Sequence, residues 1–133
     1  MRRSVLIATA GLALALTSLS CSNLNFIKRR LPPPNQTAAG VVFRFYAPSA
    51  RVVQLAGSWP ANNWLAGQAQ TGTFLVGEMK DGGDGIWTRT EPMASGRYQY
   101  KFVIDRVNWK QDPNNPNRTD DGYGGFNSLL DVR

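Results

Sequence analysis

The residues best placed to do chemistry in this chain are its tryptophans and a few polar side chains near them. Trp59, Trp64, Trp87 and Trp109 all fall in the part of the chain from Gly40 onward. A domain of that size does not need all four in its core. Exposed indole rings flanked by Lys, Asn or Thr can stack on a flat C–H-bearing face and bond the hydroxyls around it. Acid–base and nucleophilic chemistry have fewer candidates. The 133 residues contain no histidine and one cysteine, Cys21. This excludes Ser-His and Cys-His pairs, zinc sites containing His, a Cys₄ cluster and an intrachain disulfide. The nine Asp and Glu fall almost entirely in turns, whereas a retaining glycosidase needs two carboxylates about 5 Å apart in a cleft. Asp81 and Asp84 sit among glycines, but the spacing of a calcium loop is missing and a hairpin turn accounts for them. Asp112, Asp120 and Asp121 surround an Asn/Pro-rich stretch and are a weak calcium candidate. Neither a metal nor a cofactor is expected.

The charge is uneven. Formal net charge is +6, from 15 Lys and Arg against 9 Asp and Glu. Residues 1–21 read as an export signal: Arg2 and Arg3, a run of apolar and small residues from Val5 to Leu16, then Thr17, Ser18 and Ser20. The run suits a signal-peptide core and is too short to span a bilayer, which takes about 20 apolar residues. A buried N-terminal helix is the alternative. Ser18-Leu19-Ser20-Cys21 resembles the lipobox of bacterial lipoproteins, in which the cysteine is lipidated. The alternative is an ordinary signal peptide cut near Ser20. An acylated Cys21 would tether the chain to a membrane facing the periplasm or cell exterior. Residues 22–39 have the composition of a disordered tether, with Lys28-Arg29-Arg30 and Pro32-Pro33-Pro34. Leader and tether hold five of the basic residues, so residues 40–133 carry ten basic against nine acidic and are nearly neutral. No basic stripe remains, which argues against nucleic acid as a partner.

Residues 40–133 alternate apolar and polar in short runs broken by Gly, Pro, Asn and Asp. Strands are expected at 41–46, 51–56, 74–79, 86–91, 97–104, 107–110 and 128–132. Ala47-Pro48-Ser49, the 81–85 and 94–96 segments and the long stretch 112–125 are the breaks. Seven short strands predict an all-β, immunoglobulin-like antiparallel β-sandwich. In 97–104 the two-residue period sends Tyr98, Tyr100, Phe102 and Ile104 inward and Gln99, Lys101 and Val103 outward. Phe43 and Phe45 do the same inward, with Arg44 and Tyr46 opposite.

Several segments carry a family likeness: Val41 to Pro48, Val53-Gln54-Leu55-Ala56-Gly57-Ser58-Trp59, Asn62-Asn63-Trp64, Gly85-Ile86-Trp87, Gly96 to Asp105, Trp109 to Pro113, and Asp121 to Val132. In this order they resemble the early-set glycogen-binding domains, the family 48 carbohydrate-binding modules. Similar domains precede the catalytic barrel of isoamylases and occur in the β subunit of AMP-activated protein kinase. The resemblance implies an α-glucan ligand and no catalysis. It implies that Trp64 and Trp109 stack on sugar rings, and that Lys101 and Asn127 bond hydroxyls. It also implies that Tyr123 stands where the kinase-subunit domains insert a loop side chain into the glucan. Trp59 and Trp87 are expected in the core. Pro60-Ala61 lengthens the loop before Trp64, and Asp105-Arg106 replaces the Asp-Gly turn before Trp109. Arg106 lacks glycine's freedom at positive φ, which leaves the turn type and the aim of Trp109 open. The alternative function is a protein-interaction or accessory domain of an envelope complex or of an α-glucan-acting enzyme, using an exposed sheet edge.

Overall fold

The computed structural model describes residues 30–66 and 75–133. Cys21, the expected leader and residues 22–29 of the expected tether lie outside the described residues, as does Phe74.

Among the described residues, nine strands run in chain order: β1 (Asn35–Thr37), β2 (Gly40–Tyr46), β3 (Val53–Gly57), β4 (Lys80–Asp81), β5 (Ile86–Glu91), β6 (Gly96–Ile104), β7 (Asn108–Lys110), β8 (Arg118–Asp120) and β9 (Phe126–Val132). They make two antiparallel sheets, ordered β1-β2-β5-β4 and β3-β6-β9-β8. β7 pairs with the C-terminal part of β6, Phe102 to Ile104, beyond the part that pairs with β9. Among the described residues, helix is limited to one 3₁₀ turn, Asn63–Leu65. No helix among the described residues is long and apolar enough to cross a membrane.

Alternation explains which faces meet. Val41, Phe43 and Phe45 on β2 are buried, as are Val53 and Leu55 on β3 and Tyr100 and Phe102 on β6. The rings of Phe43 and Tyr100 meet edge-on at 5.1 Å, and those of Phe45 and Phe102 lie 4.6 Å apart, so the two sheets interlock through aromatic contacts. Tyr98 and Ile104 pack partly buried at the ends of the same row. Trp59 and Trp87 are core residues, and each indole N–H has an internal acceptor: Glu91 Oε1 at 3.3 Å and the Ala47 carbonyl at 3.0 Å. Glu91 itself is buried and paired with Arg89 at 2.6 Å.

Three local expectations differ from the structure. Over 75–79 the expected strand is a turn, with one isolated bridge from Glu78 to Gln54, and the strand comes later, at β4. Gly77 sets this: its φ is +69°, and its carbonyl accepts a 2.7 Å bond from the Leu55 N–H. The ladder also begins at β1, ahead of Gly40, with Asn35 opposite Val42. Finally, β8 lies inside the stretch expected to be only loop. That stretch is tied to the core by polar side chains. Tyr100 donates its hydroxyl to Asp112 Oδ2 at 2.7 Å, and Asn115 Nδ2 donates to the Leu129 carbonyl at 2.7 Å. Burial pushes the Asp112 carboxyl above its ordinary value, and burial beside Asp112 pushes the Tyr100 hydroxyl up too.

A Cβ on Gly77 would stand 2.1 Å from the Leu55 carbonyl oxygen, whereas one on Gly83, at φ +82°, would meet nothing within 4 Å. Gly83→Ala is therefore expected to cost only the left-handed backbone term, about 1 kcal/mol. Gly77→Ala adds a backbone clash and is expected to cost more than about 3 kcal/mol. Urea unfolding of the two variants checks the order; equal midpoints would contradict it.

Candidate functional site

The outer face of the second sheet follows from the same alternation. Gln99, Lys101 and Val103 point away from the core on β6, and Trp109 stands opposite Val103 on β7. On β9, Asn127 and Leu129 take the outward positions, with Leu129 opposite Gln99. Val103 is on this face yet only 1% exposed, with Gln54 of β3 opposite on one side and Trp109 of β7 on the other. Trp109 is 44% exposed.

An open depression of about 570 Å³ lies on this face, lined by Trp64, Gln99, Lys101, Trp109, Asp121, Tyr123 and Asn127. All five residues singled out in the sequence for ligand contact are among them. Trp64 and Trp109 also border a second depression, together with Gln54, Leu65, Leu75, Val103, Arg106 and Val107, so the two indoles are shared by both.

Trp64 reaches the site by a strained route. Asn63, Trp64 and Leu65 take φ of 42°, 55° and 63°, three consecutive non-glycine residues in the left-handed region. Each such residue costs roughly 1–2 kcal/mol. Asn62 holds the turn in place. It is 4% exposed, accepts the Gly57 N–H at 2.8 Å and donates to the Leu55 carbonyl at 2.7 Å. The Leu65 N–H closes the turn on the Asn62 carbonyl at 2.9 Å. The longer loop that Pro60-Ala61 creates is thus fixed to β3 at its centre.

The Trp109 hairpin is held by a similar device. Asp105 and Arg106 both have positive φ, 50° and 66°, and the Val107 N–H bonds the Ile104 carbonyl at 3.2 Å. Positive φ at both central residues is the sign pattern of a type I′ turn. Arg106 adopts it without being glycine because Asp105 is anchored: its Oδ1 accepts the Arg51 and Val52 N–H groups at 2.7 and 3.1 Å. Those bonds hold the Asp105 carboxyl below the usual range.

On the far rim, Lys101 Nζ donates to Asp121 Oδ2 at 2.7 Å, with the two side chains 17% and 10% exposed. The other oxygen of Asp121 accepts the Tyr123 and Gly125 N–H groups at 2.8 and 3.0 Å. The Lys101 bond foremost, then these amides, holds the Asp121 carboxyl down at about 2. Tyr123, at the tip of this loop, is 95% exposed. Asn127 Nδ2 donates to Gln99 Oε1 at 2.9 Å. The arrangement offers ring faces beside amide and ammonium donors, and no acid–base pair. Among the described residues no three His, Cys, Asp or Glu group to hold a metal ion. Asp81, Asp84, Asp120 and Asp121 accept N–H groups of their own turns.

Three contributors were not singled out from the sequence. Gln99 was readable, since alternation places it beside Lys101. The Asx-turn tendency before Gly122 and Gly124 was a signal for Asp121 as a loop anchor, but nothing local links it to Lys101. Asn62 carries no signal that separates a buried clamp from a loop polar residue. Compared with known proteins, the chain matches no family model and no curated protein.

Two outcomes follow. Asn62→Ala leaves the Leu55 carbonyl and Gly57 N–H buried and unpaired, and is expected to cost about 2–4 kcal/mol in denaturant unfolding; a loss under about 0.5 kcal/mol would contradict the clamp. For Asp121, the folded value lies below the unfolded one, near 3.9. Its stabilising contribution is complete above that value and is lost as pH falls through the folded value of about 2. The Tyr123 and Gly125 amide resonances should hold steady to about pH 4 and then shift, and Asp121→Asn should abolish that transition.

Proposed function

We propose that this chain is a non-catalytic carbohydrate-binding module for α-glucan, such as glycogen, starch or maltodextrin, on an immunoglobulin-like sandwich of the early-set type. The module is exported and tethered to a membrane through a lipid on Cys21, and nucleic acid is not a partner. The observation that carries the reading is the convergence of Trp64, Lys101, Trp109, Tyr123 and Asn127 around one open depression. A glucan offers C–H faces to the two indoles and hydroxyls to Lys101, Asn127 and Gln99. The near-neutral domain suits an uncharged polymer. An open depression with no carboxylate pair suits retention better than hydrolysis.

Retention on amylose and glycogen tests the reading. The full chain is expected to be retarded, with weak affinity for maltoheptaose. Trp109→Ala should weaken binding by about 1–2 kcal/mol, roughly five- to thirtyfold. Trp87→Phe, which alters a core ring, should leave binding unchanged in folded protein. Absence of retention at millimolar maltoheptaose, together with a stoichiometric protein partner on purification, would replace this reading with the accessory-domain alternative. Release of reducing ends from pullulan would refute the non-catalytic assignment.

A further inference from the structure

We infer that Asp121 is the specificity-determining residue of the depression: by cancelling the charge of Lys101 it makes the site select uncharged polyhydroxylated chains over anionic ones. The inference rests on the reading of the depression as a glycan site. Lys101 is the one cation among the described residues lining it, and Asp121 the one anion. They are joined at 2.7 Å and largely shielded from solvent. A lysine left alone beside the half-buried Trp64 and the exposed Trp109 would draw sulfate, phosphate or uronate groups. Paired, it keeps N–H donors for hydroxyls while the site presents no net charge.

The pairing is built to persist. Asp121 is fixed by the Tyr123 and Gly125 amides, and its own N–H donates to the Gly125 carbonyl at 3.1 Å. A side chain at position 125 would crowd it, since a Cβ on Gly125 would come within 2.8 Å of Asp121 Oδ2. The loop that carries Tyr123 therefore holds the carboxylate beside Lys101 through its other oxygen. Asp121 stays ionised at any physiological pH, its carboxyl being held at about 2. The next cation along β6, Arg97, is also paired, with Asp131 at 2.8 Å.

The test is a double-mutant cycle on the full chain, read by retention on amylose and on sulfated amylose at low and high salt. The variants are Lys101→Gln, Asp121→Asn and the two combined. Comparing each chain with its Lys101→Gln counterpart removes binding by basic residues elsewhere, such as Lys28-Arg29-Arg30. In the wild-type background, Lys101→Gln should weaken retention on amylose and on sulfated amylose by the same factor at low and high salt, the loss of one hydroxyl contact and of no charge-dependent hold. In the Asp121→Asn background it should abolish a gain of about tenfold that high salt also abolishes. Equal Lys101 dependence in both backgrounds would overturn the inference. If no chain binds amylose, the glucan reading fails, while the Lys101-dependent gain on sulfated amylose still decides the charge claim. If Asp121→Asn does not fold, the wild-type comparison decides alone: a Lys101-dependent, salt-sensitive hold on sulfated amylose overturns the inference, and its absence supports it.

Discussion

The structure depends on β6 serving two surfaces at once. Its inward residues Tyr100 and Phe102 are fully buried and meet Phe43 and Phe45 of the facing sheet. Its outward residues Gln99 and Lys101 line the depression. A one-residue slip would exchange the two sets and destroy core and site together. The register is held from several sides: β3 along one edge, β9 and β7 in succession along the other, and the Tyr100 hydroxyl tied to Asp112.

Around that strand, three side chains that line the depression are positioned by backbone that polar groups hold in place. Trp64 rides on three left-handed residues fixed by Asn62, and Trp109 follows a turn fixed by Asp105. Tyr123 follows a loop fixed by Asp121. Strain of this sort persists only where the surroundings over-determine it, and it concentrates at binding sites. Here it concentrates in the segments that carry Trp64 and Trp109, while Trp59 and Trp87, whose indole N–H groups are bonded internally, sit apart in the core.

How much of this was legible in the sequence depends on range. The period of two gave the faces of β2 and β6, because burying one face leaves no freedom in the pattern. It failed at 75–79, where apolar residues suggest a strand but Gly77 turns the chain. β1 and β8 are only three residues each and polar, so composition reads them as tether and loop. Trp64, Trp109, Lys101, Asn127 and Tyr123 came from the family resemblance, and the period of two separately placed Lys101 outward. Their supports were not legible, because Asn62, Asp105 and Asp121 act through contacts that no local pattern encodes. The charge that first invites an anionic partner divides in the same way: the basic excess sits ahead of the domain, and Lys101, within the depression, has its own counter-ion.

The most direct measurement uses the four tryptophans against one another. Maltoheptaose titrated into the ¹⁵N-labelled full chain is followed by the four indole N–H resonances. The account predicts that the Trp64 and Trp109 resonances shift and saturate together. Those of Trp59 and Trp87, bonded to Glu91 and the Ala47 carbonyl, should stay in place. No shift at Trp64 and Trp109 at millimolar ligand, or equal shifts at all four, would contradict it.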